Sequence, residues 1–462
     1  MCIIQLVNHP AILFLDKVDA ACSEPLDGDH NYRILPLMRL SPRLQHLFSD
    51  HQPRLQALEV LKYIGPGFLV TVGFIDPGNW ASHVAAGSMY GYRLLWMVTL
   101  ATLMLIILLH NAAHLGIVTG LCISEAATEY VAPRFARVVL SSAVAACVCT
   151  ALAEIMGAAI GLNLLTGIPL RVGAVLVAVA VGFLLLANGY RRIEKLIIAF
   201  VSLIGLSFLY ELSLVHVPWA EAATAWVTPS FPVGSIPIVM SVLGAVVMPH
   251  NLYLHSEIIQ SRRLNEQGTA VIEKQLRFEF VDTLTSMLVG WAINSSMIIL
   301  AAATFFVHHS IVTDLGQAQS MLQPLLGKAA SAVFGGALLM AGLSSSVTAG
   351  MAGGSIVAGM SREPYDVSDN HSRLGVVLTL GGALALALVA GNPFTTLVVS
   401  QIALSVQLPW TIALQIMLTS NPRVMGRYVN GRLDRGLLWT TAVVVSLLNV
   451  LLLADLLVGT IR

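Results

Sequence analysis

Charge is what this chain has least of. Only 11% of its 462 residues are Asp, Glu, Lys or Arg, against about 25% in an ordinary soluble domain. The 25 basic and 25 acidic residues cancel, so the formal net charge is zero. A nucleic-acid partner needs a basic face, and none is expected here. Cysteine is also scarce, with five residues and no Cys-x-x-Cys pair, which excludes a disulfide scaffold. Cys147 and Cys149 fall in an apolar run and read as small buried hydrophobes. No H-E-x-x-H pattern occurs, and no G-x-S-x-G elbow stands out near a His. An intramembrane enzyme therefore has no support, and no cofactor is expected.

Apolar residues fill the gap, at 56% of the chain with a mean hydropathy of +0.79. A membrane-spanning helix needs about 20 mostly apolar residues. Eleven such segments lie near 63–88, 94–119, 138–165, 170–189, 194–216, 234–257, 281–307, 330–358, 374–391, 393–417 and 438–459. Placing the N-terminus in the cytoplasm puts 21 of the 25 Lys and Arg residues on the inner side. Only Arg93, Arg171, Lys328 and Arg462 fall outside. That asymmetry is the positive-inside signature. It predicts eleven spans, with the N-terminus inside and the C-terminus outside.

The first 58 residues are polar and mixed, and read as a poorly ordered cytoplasmic tail with a short surface helix near Pro42–Leu61. Lys17 follows the first apolar stretch instead of preceding it, so a secretory leader is not expected. Residues 59–462 form the transmembrane domain. The short loops and lack of a targeting signal suit a bacterial inner membrane. Asn294 begins a glycosylation sequon but falls at membrane depth.

Two spans carry a polar break at their centre. The first reads GPGFLVTVGFIDPGNWASH, with Asp76, Pro77, Gly78 and Asn79 in the middle. The sixth reads VLGAVVMPHNLYLHSE, with Met248, Pro249, His250 and Asn251 in the middle. Proline removes a backbone donor and clashes with the preceding turn. Carbonyls freed in this way cannot face lipid and must line a cavity or find partners. Matched breaks in two halves of a chain mark the substrate site of an inverted-repeat transporter. An ionisable group such as Asp76 at that depth is a functional candidate by default.

The donors at these breaks suggest a cargo. Asp76 offers a hard anionic oxygen, Asn79 a neutral one, and an unwound carbonyl near Ala245 another. Met248 offers a thioether sulfur. Magnesium and calcium prefer shells made only of oxygen, whereas sulfur favours transition metals. The set points to a divalent ion such as Mn2+ or Fe2+.

At these residues the sequence resembles the Nramp family of divalent metal transporters. The likeness rests on GPGFLV, DPGNW at 76–80, YG at 90–91, LGIVTG at 115–120, AVVMPHNLYLHS at 245–256 and SQIALSVQLP at 400–409. It implies an all-α polytopic membrane protein of the LeuT type. Two inverted repeats of five transmembrane helices, about 60–216 and 234–417, would be followed by an eleventh helix at about 438–459. It implies that Asp76, Asn79 and Met248 bind metal by side chain and Ala245 by its carbonyl. Gln401 would join in some conformations, and Gly73 would give a further carbonyl. His250, Glu154 and Arg373 would belong to a proton pathway, since most members couple metal uptake to protons. The partners implied are the divalent cation, protons and the lipid bilayer, with the chain acting as a monomer.

The sequence also departs from the family pattern. Ala151 stands where many relatives carry an Asp three residues before the Glu, and Ser372-Arg373 replaces a paired Arg-Arg. GLSSS at 342–346 replaces a Gly-Gln-Ser-Ser-Thr run. Proton symport is still expected, with reduced or altered stoichiometry. His83, His110, His114 and Glu211 receive no transport role from the sequence.

Overall fold

The computed structural model describes residues 76–187, 212–213 and 215–461. Gly73, the tail at 1–58, the first half of the first span, and most of the fifth span with Glu211 lie outside the described residues.

The described chain is helical. In order, α1 is Pro77–Tyr90, α2 Leu95–Thr119, α3 Ile123–Tyr130, α4 Pro133–Thr166 and α5 Leu170–Ala187. After the gap come α6 Trp219–Val227, α7 Ile236–Val246, α8 Pro249–Gln260, α9 Thr269–Thr304 and α10 Leu315–Met360. The last four are α11 Asn370–Val389, α12 Pro393–Thr419, α13 Pro422–Met425 and α14 Arg432–Ile461.

Eight described helices are long and apolar enough to cross a membrane. They correspond to the second, third and sixth to eleventh spans, while α5 is a shorter apolar helix at the fourth. The short helices α3 and α6 lie between spans.

Proline places many of the helix starts. Helices α1, α4, α8, α12 and α13 all begin on one. A missing N–H costs nothing in the first turn, where no helical acceptor exists. Side-chain oxygens of Asp369, Asn392 and Asn421 cap α11, α12 and α13. Proline within a helix has no fixed outcome, because Pro409 lies inside the uninterrupted α12.

Helix α4 is central, packing against α1, α5, α10, α11 and α12. Small residues allow that close packing. A Cβ on Gly342 of α10 would come within 2.5 Å of the Glu154 carbonyl oxygen, and one on Gly161 within 2.6 Å of the Leu339 nitrogen. Outer faces are apolar instead. Helix α14 exposes Leu447, Val450 and Leu453, and α11 exposes Val377 and Leu378, which suits hydrocarbon rather than water.

Candidate metal and proton site

The sixth-span break is described on both sides. Helix α7 stops at Val246, and Val247 leaves helical geometry at φ −102° and ψ 78°. Met248 is extended, at φ −82° and ψ 120°, and α8 starts at Pro249. Pro249 is also the residue whose N–H would have closed the helical bond to the Ala245 carbonyl. Having none, it leaves that oxygen without its helical donor.

The first-span break is described from Asp76 onward. Asp76 is extended and caps α1, its Oδ1 accepting from the Asn79 N–H at 2.5 Å. The other oxygen, Oδ2, is buried without a hydrogen-bond partner. One carboxylate oxygen thus builds the helix end, and the second takes no part in that cap.

Gln401 of α12 touches both breaks. Its side-chain amide lies over Gly78, where an added Cβ would be 2.0 Å from Nε2 and 3.2 Å from Oδ1 of Asp76. Its backbone carbonyl presses on Gly244, where an added Cβ would sit 1.8 Å from the oxygen. The Gln401 Oε1 is buried and unpartnered. Ser82 of α1 and Ser241 of α7 hydrogen-bond at 2.6 Å, fastening the two elements together.

One stripe of α4 runs past both breaks. Ala146 packs with Met248 and Leu404. The Thr150 hydroxyl lies 3.1 Å from Nδ1 of His250. The Glu154 carboxyl faces that of Asp76, near enough for the two to interact. A Cβ on Gly157 would fall 1.9 Å from the Pro77 Cβ. Spacings of four, four and three residues keep all four positions on one helix face. Neither Glu154 oxygen has a well-formed hydrogen bond, and such buried orphans call for an explanation. Thr150 donates its single proton to the Ala146 carbonyl at 3.1 Å. The same hydroxyl is the hydrogen-bond partner of the His250 ring.

The sequence-predicted residues divide accordingly. Asp76, Asn79, Ala245, Met248, Gln401 and Glu154 are 0% exposed, and His250 is 1% exposed. The stripe and Gln401 gather these elements into one enclosed region. Arg373 is apart from it, exposed at the start of α11 with its Nε donating to the Val367 carbonyl at 2.8 Å. Gly73 lies outside the described residues. His83, given no transport role by the sequence, is fully buried, its Nδ1 bonded to the Asn79 carbonyl at 2.6 Å. Sequence reasoning missed Thr150, Gly157 and the Ser82–Ser241 bond. For Thr150 a signal was available, since it sits one helical turn before Glu154.

The chain's likeness to known proteins covers most of its length. The Nramp family profile, described as natural resistance-associated macrophage protein-like, matches residues 67–455. A divalent metal cation transporter MntH of Brucella suis is 38% identical over 415 residues, covering 86% of this chain and 89% of that protein. The MntH of a Nostoc species is also 38% identical over 415 residues, covering 87% and 92%. Among solved structures, a mutant of the Eremococcus coleocola manganese transporter matches with a TM-score of 0.75 and 28% identity, covering 89% of this chain and 90% of that one. Mhp1, a nucleobase-cation-symport-1 family transporter, matches in fold alone, at 16% identity and a TM-score of 0.58 over 80% and 81% of the two chains. The fold is the all-helical LeuT type, and with most of its length matched, this chain belongs to the Nramp family.

Proposed function

We propose that the protein imports divalent transition-metal ions, Mn2+ and Fe2+, by proton symport and alternating access. The carrying observation is that a buried carboxylate, Asp76, and a buried thioether, Met248, stand at the two helix breaks. Asn79, Gln401 and the uncapped Ala245 carbonyl complete a mixed oxygen and sulfur set. Hard ions gain little from sulfur, so this set supports selection for softer divalent cations. The relatives named as divalent metal cation and manganese transporters support the same cargo.

Glu154 supports the proton part of the reading. Two buried carboxyls this close do not both hold a charge without a cation between or beside them. A metal ion arriving at Asp76 favours its ionised form, and the proton displaced has an acceptor at Glu154. His250 and Thr150 extend the polar stripe along α4. In this reading the protein is a monomer in a bacterial inner membrane, with its N-terminus in the cytoplasm and its C-terminus outside.

The test is metal uptake into proteoliposomes that contain a pH-sensitive dye. Asp76→Ala should abolish Mn2+ uptake. Met248→Ala should erase the preference for Mn2+ over Ca2+. The vesicle interior should acidify as Mn2+ enters. Uptake by the Asp76 variant would overturn the site, and uptake without acidification would leave metal uniport as the function.

A further inference from the structure

We propose that His110, Glu279 and His255 form a second proton-binding site, separate from the Asp76–Glu154 pair, which joins the half-helix α8 to α2 and α9. As a role in transport this rests on the symport reading above; as a proton site it does not.

The three residues come from three helices. Glu279 is on α9 with its side chain 4% exposed, and its Oε2 lies 2.5 Å from Nδ1 of His110 on α2. Its Oε1 lies 3.5 Å from Nε2 of His255 on α8. The Thr283 hydroxyl donates to the same Oε1 at 2.6 Å, which fixes the carboxyl between the two rings. His255 is fully buried, and its Nδ1 has no hydrogen-bond partner among the described residues. The cluster therefore has a capacity for protons that its own hydrogen bonds do not use.

Charge balance gives the cluster its function. A carboxylate away from water needs a compensating charge, and the ion-pair partners of Glu279 are imidazoles. Imidazole is the side chain whose charge changes near neutral pH. With one added proton the cluster is neutral, as imidazolium and carboxylate or as imidazole and carboxylic acid. Moving the proton along the 2.5 Å contact interconverts the two forms: the N–H bond breaks as the O–H bond forms, and no heavy atom travels. Release from the carboxyl to His255 requires closing a 3.5 Å gap, which a small movement of α8 would do.

The site has a part-exposed end and a buried end. The His110 side chain is 32% exposed while that of His255 is 0% exposed. Other groups facing His110 are His114, whose ring is stacked on it at 6.4 Å, the Phe280 ring edge at 5.2 Å, and the more distant carboxylate of Asp434 on α14. Glu279 faces the two imidazoles and Thr283. Because α8 begins at Pro249 beside the metal site, the position of His255 links proton occupancy here to the geometry of that break.

The experiment is a proton count on the purified full-length protein, by potentiometric titration across neutral pH in detergent. Glu279→Gln keeps the shape and removes the carboxylate. The expected result is that this variant takes up about one proton fewer per molecule than wild type. His110→Gln, at the part-exposed end, should show the same deficit and serves if the first variant fails to fold. In proteoliposomes both should flatten the pH dependence of Mn2+ uptake. A proton count equal to wild type in either folded variant overturns the site, whatever the transport result. If wild type carries Mn2+ without protons but the titration deficit is present, the site stands and the symport reading fails.

Discussion

Gly157 of α4 lies directly against Pro77 at the start of α1, so that a Cβ on the glycine would sit 1.9 Å from that of the proline. Neither group can yield cheaply, since one is backbone and the other a fixed ring. Gly157→Ala should therefore push α4 away from the first break. Overpacking of this kind costs about 1–3 kcal/mol. The expected outcome is a lower melting temperature and strongly reduced Mn2+ uptake. Wild-type uptake in this variant would show that α4 does not set the position of Asp76.

Gly78 and Gly244 both meet Gln401, but through different atoms. At Gly78 the clash is with the flexible amide, and at Gly244 with the backbone carbonyl. Gly78→Ala should leave the melting temperature close to wild type but displace the amide, weakening Mn2+ affinity. Gly244→Ala should lower the melting temperature more, because helices must separate. Calorimetric titration with Mn2+ alongside thermal melts would separate the two effects, and the reverse ranking would refute the packing argument.

Thr150→Val removes the hydroxyl that hydrogen-bonds Nδ1 of His250 while keeping the side-chain shape. One lost hydrogen bond of this kind is worth about 0.5–1.5 kcal/mol, a change of roughly two- to tenfold in an equilibrium. The pH dependence of Mn2+ uptake should shift by a corresponding amount. An unchanged profile would place His250 outside the proton route.

Two carboxylates outside the membrane make the start of α11 sensitive to acid. The Ser368 hydroxyl and amide hold Asp366 below its ordinary value of 3.8. For Asp369, slight desolvation acts upward, but the amides of Ser372, His371 and Asn370 outweigh it and leave it lowered as well. A lowered folded value means that the stabilising contribution is complete above the unfolded value. It declines below pH 3.8 and is gone once the pH passes the folded values. Amide hydrogen exchange at His371 and Ser372 should therefore accelerate on strong acidification. Asp369→Asn keeps a capping oxygen and should remove part of that pH dependence, whereas Asp369→Ala should exchange fast at every pH.

Much of the molecule was legible in the sequence because the bilayer leaves few options. Low charge and long apolar runs mean helices, since in lipid every backbone group must be satisfied within the segment. The sparseness of charge also isolated Asp76 and Glu154 as candidate groups. The Pro249 break was readable because proline so placed leaves the Ala245 carbonyl without a donor. Proline alone was an incomplete guide, however, as Pro409 inside α12 demonstrates. Where a second constraint is missing, the helix continues.

Tertiary packing decided what hydropathy and motif could not express. Hydropathy treats Gly157, Gly78 and Gly244 as ordinary small residues, and only the approach of another chain segment makes them indispensable. Arg373 follows Ser372 in the first turn of α11, and the fold turns it outward onto Val367 rather than into the α4 stripe. Glu279, His110 and His255 lie far apart along the chain and form no motif. A local pattern records neighbours within a few residues, whereas the bond between His110 and Glu279 joins positions 169 residues apart. The sequence by itself determined the spans, the breaks and the donor types. The packing of α2, α4, α8 and α9 decided which donors meet, because contact between distant helices depends on their faces and separation rather than on composition.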